Sequence, residues 1–319
     1  MKKVLMTDHP WPDVDIERSI LAEVPAELIE APTGDTPTLA RLAGEAEAIM
    51  TCWAKVAREV IDAAPRCHTI SRMGIGLDNI DVAYATSRGI VVTNVPDYCF
   101  EEVAEHTIAL LFSLARKVAL YHHQSKSGRY DLNEGPELRR IAGQTLGIIG
   151  LGQIGCRVAE KAFALGLKVV AHTLPGSPTA PGVSLTSFDE LLATADYVTL
   201  HAPLTESTRH LISRDALAKM KPTAYLINTA RGGLVDSSAL AAALAENRLA
   251  GAALDVQEQE PPDLGQPPYN DRRVIVTPHA AFLSAESLEN LRHRVARQVA
   301  DRLLGLVPEN VVNREVLEE

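Results

Sequence analysis

Three side chains in this sequence have the types and the placement for acid–base chemistry on a small organic acid. Arg231 stands three residues beyond the apolar run 224–228, Glu260 five beyond 251–255, and His279 three beyond 274–276; each run reads as a β-strand. Ligands of open parallel sheets bind beyond the carboxyl ends of the strands, so the three groups are expected along one edge. A guanidinium there can clamp a carboxylate and polarise a carbonyl. An imidazole can deliver or remove a hydroxyl proton near neutral pH. A neighbouring carboxylate favours the imidazolium and fixes the ring. The combination suits hydride chemistry on a 2-oxo or 2-hydroxy acid. Taken singly, an arginine or glutamate past a strand is ordinarily solvated and a Pro-His turn ordinarily structural; the shared edge is what argues for chemistry. Of the ten histidines, His279 is singled out by position. His122 and His123 fall on a helical pattern, and His201 follows a strand where it would line a nucleotide cleft.

Hydride chemistry needs a carrier, and the stretch 146–155 offers a site for one. An apolar run meets Gly150, Gly152 and Gly155 in the spacing G-x-G-x-x-G and continues as a helix of about 11 residues, an ordinary length, which Gly166 closes. Gly150 would make the tight turn, Gly152 would let a pyrophosphate approach the backbone, and Gly155 would let helix pack on strand. The pyrophosphate would lie on free N–H groups at the helix start. A second strand at 167–171 completes a βαβ unit.

Around these residues, strands alternate with helices, which means parallel sheets. Strands are expected at 3–7, 27–30, 48–51, 69–72 and 90–93, with a helix at 81–88 ended by Gly89. A single apolar-faced helix is expected over 100–125, roughly 40 Å long at the standard rise, as an interdomain or dimer-forming element. Strands at 197–200, 224–228, 251–255 and 274–276 bring the second unit to six. Ser187, with Glu190, reads as a capping box, and Ser213 and Asp236 as N-caps. A last helix at 286–305 and the segment Val311-Val312-Asn313 return to the first unit. The expected domains are 1–96 plus 286–319, and 97–285, with a cleft between them that hinges where the chain crosses near Pro96 and Ser284.

The composition sets limits on other readings. With 46% hydrophobic residues the 319-residue chain is globular, and 41 acidic against 31 basic residues, a net charge of −10, disfavour nonspecific attraction to nucleic acid or anionic membranes. No apolar run reaches membrane-spanning length, and the start lacks a signal peptide's apolar core. Cys52, Cys67, Cys99 and Cys156 form no C-x-x-C pair, so neither a disulfide framework nor a metal site is expected, and a cytoplasmic location is.

Over essentially its whole length the sequence resembles the D-isomer-specific 2-hydroxyacid dehydrogenases. The glycine fingerprint, Asn228-Thr229-Ala230-Arg231-Gly232-Gly233, Leu254-Asp255-Val256 through Glu260-Pro261, and Thr277-Pro278-His279 carry the likeness. It implies an α/β architecture of two doubly wound parallel-sheet domains, a flavodoxin-like substrate domain and a Rossmann cofactor domain. It implies an NAD-dependent oxidoreductase with Arg231, Glu260 and His279 as catalytic residues, acting on a small 2-oxo or 2-hydroxy acid; the long apolar helix over 100–125 leads to the expectation of a homodimer formed largely through the cofactor domain. Cofactor contacts are expected from Gly150, Gly152, Gln153, Ile154 and Gly155, from His172 and Thr173, from His201, Ala202 and Pro203, from Thr229, Ala230 and Arg231, and from His279. Asp255 is expected to face the nicotinamide amide. Backbone N–H groups near Met73, Gly74, Ile75 and Gly76 are expected to receive the substrate carboxylate, with Arg231 and His279 completing that site. Trp53, Tyr98 and Phe282, with Met73, are candidates to approach the substrate side chain.

Two positions depart from the family pattern. Thr173, 18 residues after Gly155, replaces the usual ribose-binding acid, yet no arginine follows in 174–178 to grip a 2′-phosphate. NAD is therefore favoured with NADP not excluded. Gln257 stands where many members carry an aromatic residue. The segments 95–102 and 278–284 look closest to the branch of phosphoglycerate-dehydrogenase-like and C-terminal-binding-protein-like members. That branch raises an alternative, an NAD(H)-binding dimer that binds partners with secondary or no catalysis; the retained Arg231, Glu260 and His279 favour the enzyme. A formate-oxidising relative would be expected to carry glutamine where Glu260 stands.

Overall fold

The computed structural model describes residues 1–133, 137–174 and 176–318, so Pro175 of the stretch after the glycine-rich unit's second strand lies outside the described residues. It divides into two compact units, Met1–Tyr98 with Ser284–Glu319, and Cys99–Leu283, each boundary two residues from the expected domain limits.

The first unit runs β1 (Lys2–Met6), α1 (Asp15–Leu21), β2 (Ala26–Glu30), α2 (Thr36–Ala43), β3 (Ala48–Thr51), α3 (Arg58–Asp62), β4 (Thr69–Arg72), α4 (Val82–Ser87) and β5 (Val91–Thr93). Its strands pair in parallel in the order β2-β1-β3-β4-β5, the flavodoxin-like order. Alternate residues of β1 serve opposite faces: Val4 and Met6 join one core, Leu5 the other. Asp81 caps α4 by accepting the Tyr84 N–H, and Gly89 follows in the left-handed region at φ 68°.

The second unit runs α5 (Phe100–Ala115), α6 (Val118–Lys126), β6 (Thr145–Ile149), α7 (Gln153–Ala164), β7 (Lys168–His172), β8 (Ser184–Leu185), α8 (Phe188–Thr194), β9 (Tyr197–Leu200), α9 (Arg214–Lys219), β10 (Tyr225–Asn228), α10 (Ser237–Ala245), β11 (Gly251–Leu254) and β12 (Val274–Val276). Its seven parallel strands lie in the order β12-β11-β10-β9-β6-β7-β8. That is the Rossmann arrangement, with the switch point between β6 and β9. The sheet carries one more strand than the six expected, because β8 is two residues long and has no period to recognise. Strands buried on both faces read as continuous apolar runs, as β11 does. Ser187, Ser213 and Asp236 accept the N–H groups of Glu190, Ala216 and Ala239, as their spacing requires.

The single helix expected over 100–125 is two. Lys117 adopts the left-handed conformation (φ 53°, ψ 32°), which ends α5 and starts α6. From the second unit the chain returns through α11 (Ala285–Leu303), opened by a capping box of Ser284 and Ser287. Leu291, Val295 and Val299 of α11 enter the core of the first unit beside Val4 and Met6. The buried Arg292 donates to Glu17 of α1 at 2.8 Å. The following tail lies along β5, with Val311 bridging Thr93 and the Asn313 side chain accepting the Val92 N–H. Among the described residues no helix is long and apolar enough to cross a membrane.

Candidate active site

The glycine loop leads from β6 into α7 at the switch point. Gly150 sits at φ 95°, and a Cβ there would lie 2.7 Å from the Ala202 nitrogen, so only glycine lets the turn pass this close to the end of β9. A Cβ on Gly155 would lie 2.4 Å from the Gly150 carbonyl oxygen, which shows how tightly α7 packs on the turn. Over Gly152 a Cβ would meet nothing, and no side chain caps α7. An open approach to uncapped N–H groups fits a pyrophosphate. Gln153 and Ile154 form the first turn of that helix.

Beyond β7, the Thr173 hydroxyl accepts the Leu151 N–H at 3.2 Å and donates to Ser177 at 2.8 Å, tying the glycine loop to the following segment. His172 uses Nδ1 to donate to the Thr186 carbonyl at 3.2 Å. Beyond β9, Thr199 and His201 Nε2 are 3.0 Å apart, and burial pushes the His201 imidazole down to about 3, so it borders the site as a neutral ring. Ala202 and Pro203 follow it along the same edge.

The loops after β10, β11 and β12 bring the acid–base residues together. Asn228 braces the arginine turn from both sides, accepting the Ala230 N–H and donating to the Arg231 carbonyl. A Cβ on Gly232 would fall 1.9 Å from the Gln257 carbonyl carbon, so glycine alone lets this turn lie against the loop that carries Glu260. His279 Nδ1 is 2.8 Å from Glu260 Oε2, while the Gln257 N–H donates to Oε1 at 2.9 Å. Burial by itself raises the Glu260 carboxyl. The His279 hydrogen bond and charge, the Gln257 N–H and the Arg231 charge outweigh it and hold the group below the usual carboxylate range. A carboxylate only accepts, so Nδ1 of His279 carries the proton of this hydrogen bond. His279 itself is strained at φ 53°, a conformation held by its N–H to the Asp255 and Thr277 carbonyls. Phe282 packs its ring edgewise on the imidazole at 6.3 Å.

Asp255, expected to face the nicotinamide amide, also holds the histidine loop. Its side chain is fully buried. Oδ1 accepts from the Thr277 hydroxyl and the Ala280 N–H, and Oδ2 from the Ala281 N–H. The carboxylate thus anchors the histidine loop from beneath, because the loop folds back over the end of β11. Gln257 acquires a function: its amide donates to the Leu254 carbonyl at 3.0 Å and the Thr277 carbonyl at 3.4 Å, stapling the glutamate loop to the histidine loop. His106 of α5 reaches the histidine loop at Thr277 and Thr107 reaches the arginine turn at Thr229, and neither was singled out for the site by sequence. The available signal was a threonine within the apolar stripe of α5.

In the first unit, Met73 is 2% exposed and belongs to the same core cluster as Met6 and Met50. Gly74, at φ 149°, lies over the Arg72 guanidinium and donates its N–H to the Arg72 carbonyl. Asn94 donates to the Ile75 carbonyl at 2.8 Å. The half-buried Ile75 and Gly76 form the turn between β4 and Asp81.

Comparison with known proteins places this edge in context. Residues 108–281, more than half of the chain, match the model of the D-isomer specific 2-hydroxyacid dehydrogenase, NAD binding domain. The chain belongs to that family. It is thus an NAD-dependent oxidoreductase of the 2-hydroxy acid class. It is 39% identical to a glyoxylate reductase of Thermofilum pendens, over 82% of this chain and 80% of that protein. It is likewise 39% identical to the D-3-phosphoglycerate dehydrogenase of Methanocaldococcus jannaschii, over 98% of this chain but 60% of that longer protein. Among solved structures, D-lactate dehydrogenase from Aquifex aeolicus, in complex with NAD and lactic acid, superposes with a TM-score of 0.87 at 30% identity, covering 98% of this chain and 99% of that one. An acyclic imino acid reductase in complex with NADPH and D-Arg gives 0.86 at 28% identity, covering 97% and 99%.

Proposed function

We propose that the protein interconverts a 2-oxo acid and its D-2-hydroxy acid, with His279 moving the proton, Glu260 holding the imidazole and Arg231 clamping the substrate. The observation that carries this reading is the 2.8 Å contact of His279 Nδ1 with Glu260 beside the turn that bears Arg231. NAD(H) at the glycine loop supplies or receives the hydride. In the reducing direction Arg231 draws charge onto the carbonyl oxygen, and His279 Nε2 gives that oxygen its proton. Glu260 stabilises the imidazolium before transfer and keeps the ring aimed. In the oxidising direction the neutral Nε2 takes the proton from the hydroxyl. The backbone N–H groups of Ile75 and Gly76 receive the substrate carboxylate, and Asp255 serves by fixing the histidine loop.

NADH is the preferred carrier and NADPH a weaker one, because Thr173 and Ser177 offer hydroxyls but no charge to a 2′-phosphate. The protein works as a homodimer in the cytoplasm. Open apolar side chains at Val118, Tyr130 and Leu132 support pairing, and four free cysteines support a reducing compartment. The test is a panel of 2-oxo acids with NADH or NADPH, followed by absorbance of the reduced cofactor. His279→Ala should lower kcat by roughly 10²- to 10⁴-fold. Unchanged turnover in the folded variant overturns the assignment.

A further inference from the structure

Two adjacent residues of α5 touch two different loops of the acid–base edge. His106 Nε2 lies 3.2 Å from the Thr277 hydroxyl, two residues before His279, and 3.5 Å from the buried Asp255 carboxylate. The Thr107 hydroxyl lies 2.9 Å from that of Thr229, two residues before Arg231. We propose that His106 and Thr107 are positioning residues, a clamp by which one helix holds the arginine and histidine loops in register. The inference rests on the function proposed above for Arg231 and His279.

Hydrogen counting fixes the direction of both contacts. Thr277 has one hydroxyl hydrogen and gives it to Asp255 Oδ1 at 2.5 Å, so toward His106 it can only accept, and His106 Nε2 carries the proton. Thr107 gives its hydrogen to the Val103 carbonyl at 2.8 Å, so Thr229 is the donor in that pair. Thr107 and Asp255 are fully buried and Thr229 nearly so, which leaves no solvent to replace a lost partner. The helix is itself tethered. Its Glu101 pairs with Arg157 at 3.0 Å and Lys161 at 2.9 Å on α7, the helix that begins at the glycine loop. Through α5 the proton donor and the substrate clamp are therefore referenced to the same element as the cofactor loop.

The experiment uses the full chain with four substitutions. His106→Phe and Thr107→Val remove the polar contacts at similar volume, and His106→Gln and Thr107→Ser keep them. Turnover is measured with NADH and glyoxylate or pyruvate, NADH affinity by fluorescence, and amide exchange by mass spectrometry over 229–235 and 277–283. The first two variants should lose roughly tenfold in kcat, within the range that small misplacements of reacting groups produce. Their NADH affinity should fall by less than kcat does, and exchange should rise in the segment each one touches. Gln and Ser should restore most of the loss. A kcat within about twofold of the parent, or Gln and Ser variants as slow as Phe and Val, overturns the clamp. If the parent turns over no 2-oxo acid, the proposed function fails and exchange alone decides: faster exchange in the touched segment sustains the clamp, and unaltered exchange overturns it.

Discussion

Thr173 takes the Leu151 N–H on its hydroxyl oxygen, a contact that a carboxylate at the same position can also accept. Replacing it by an acid should therefore leave the glycine loop tied while setting a negative charge against any 2′-phosphate. Thr173→Asp is expected to depress kcat/KM with NADPH far more than with NADH, read from initial rates with the two cofactors. A parent protein more than about tenfold better with NADPH would reverse the preference for NADH. Arg231, Glu260 and His279 were legible in the sequence because distance past a strand end is a linear property of the chain. The hydrogen bonds that Asp255 accepts were not. A strand-end carboxylate points wherever its next partners pull it, and those partners, Ala280 and Ala281, lie 25 and 26 residues on. Thr107 was hidden for another reason: a threonine between Val103 and Leu110 reads as part of an apolar stripe.

At the scale of elements, the acid–base edge depends on one backbone apposition, the arginine turn against the glutamate loop at Gly232. Gly232→Ala would place a methyl 1.9 Å from the Gln257 carbonyl carbon, and both partners are backbone with nowhere to swing. It should cost about 1–3 kcal/mol of stability or more, as overpacking does, and lower kcat/KM through a displaced Arg231. Urea denaturation and steady-state rates on the same preparation check both. A stable, fully active variant would mean the loops can part without harm. Most strands and the caps at Ser187, Ser213 and Asp236 were legible because short-range periodicity and side-chain chemistry determine them. The break at Lys117 was not, since a single left-handed residue leaves the apolar period intact on either side.

For the whole molecule, the expected association state is two. Val118, Tyr130 and Leu132, close together in the sequence, are 57%, 97% and 82% exposed, and pairing would cover apolar surface there. Light scattering at micromolar concentration should report twice the chain mass, and a monomer there would overturn the pairing. These exposed groups begin at α6, whereas the side chains that reach the catalytic loops lie on α5, and Lys117 interrupts the hydrogen-bond ladder between them. A rotation of α6 is absorbed by the torsions at that joint instead of being carried along a continuous rod. Substitutions after Lys117 are consequently insulated from the loops that α5 holds before it.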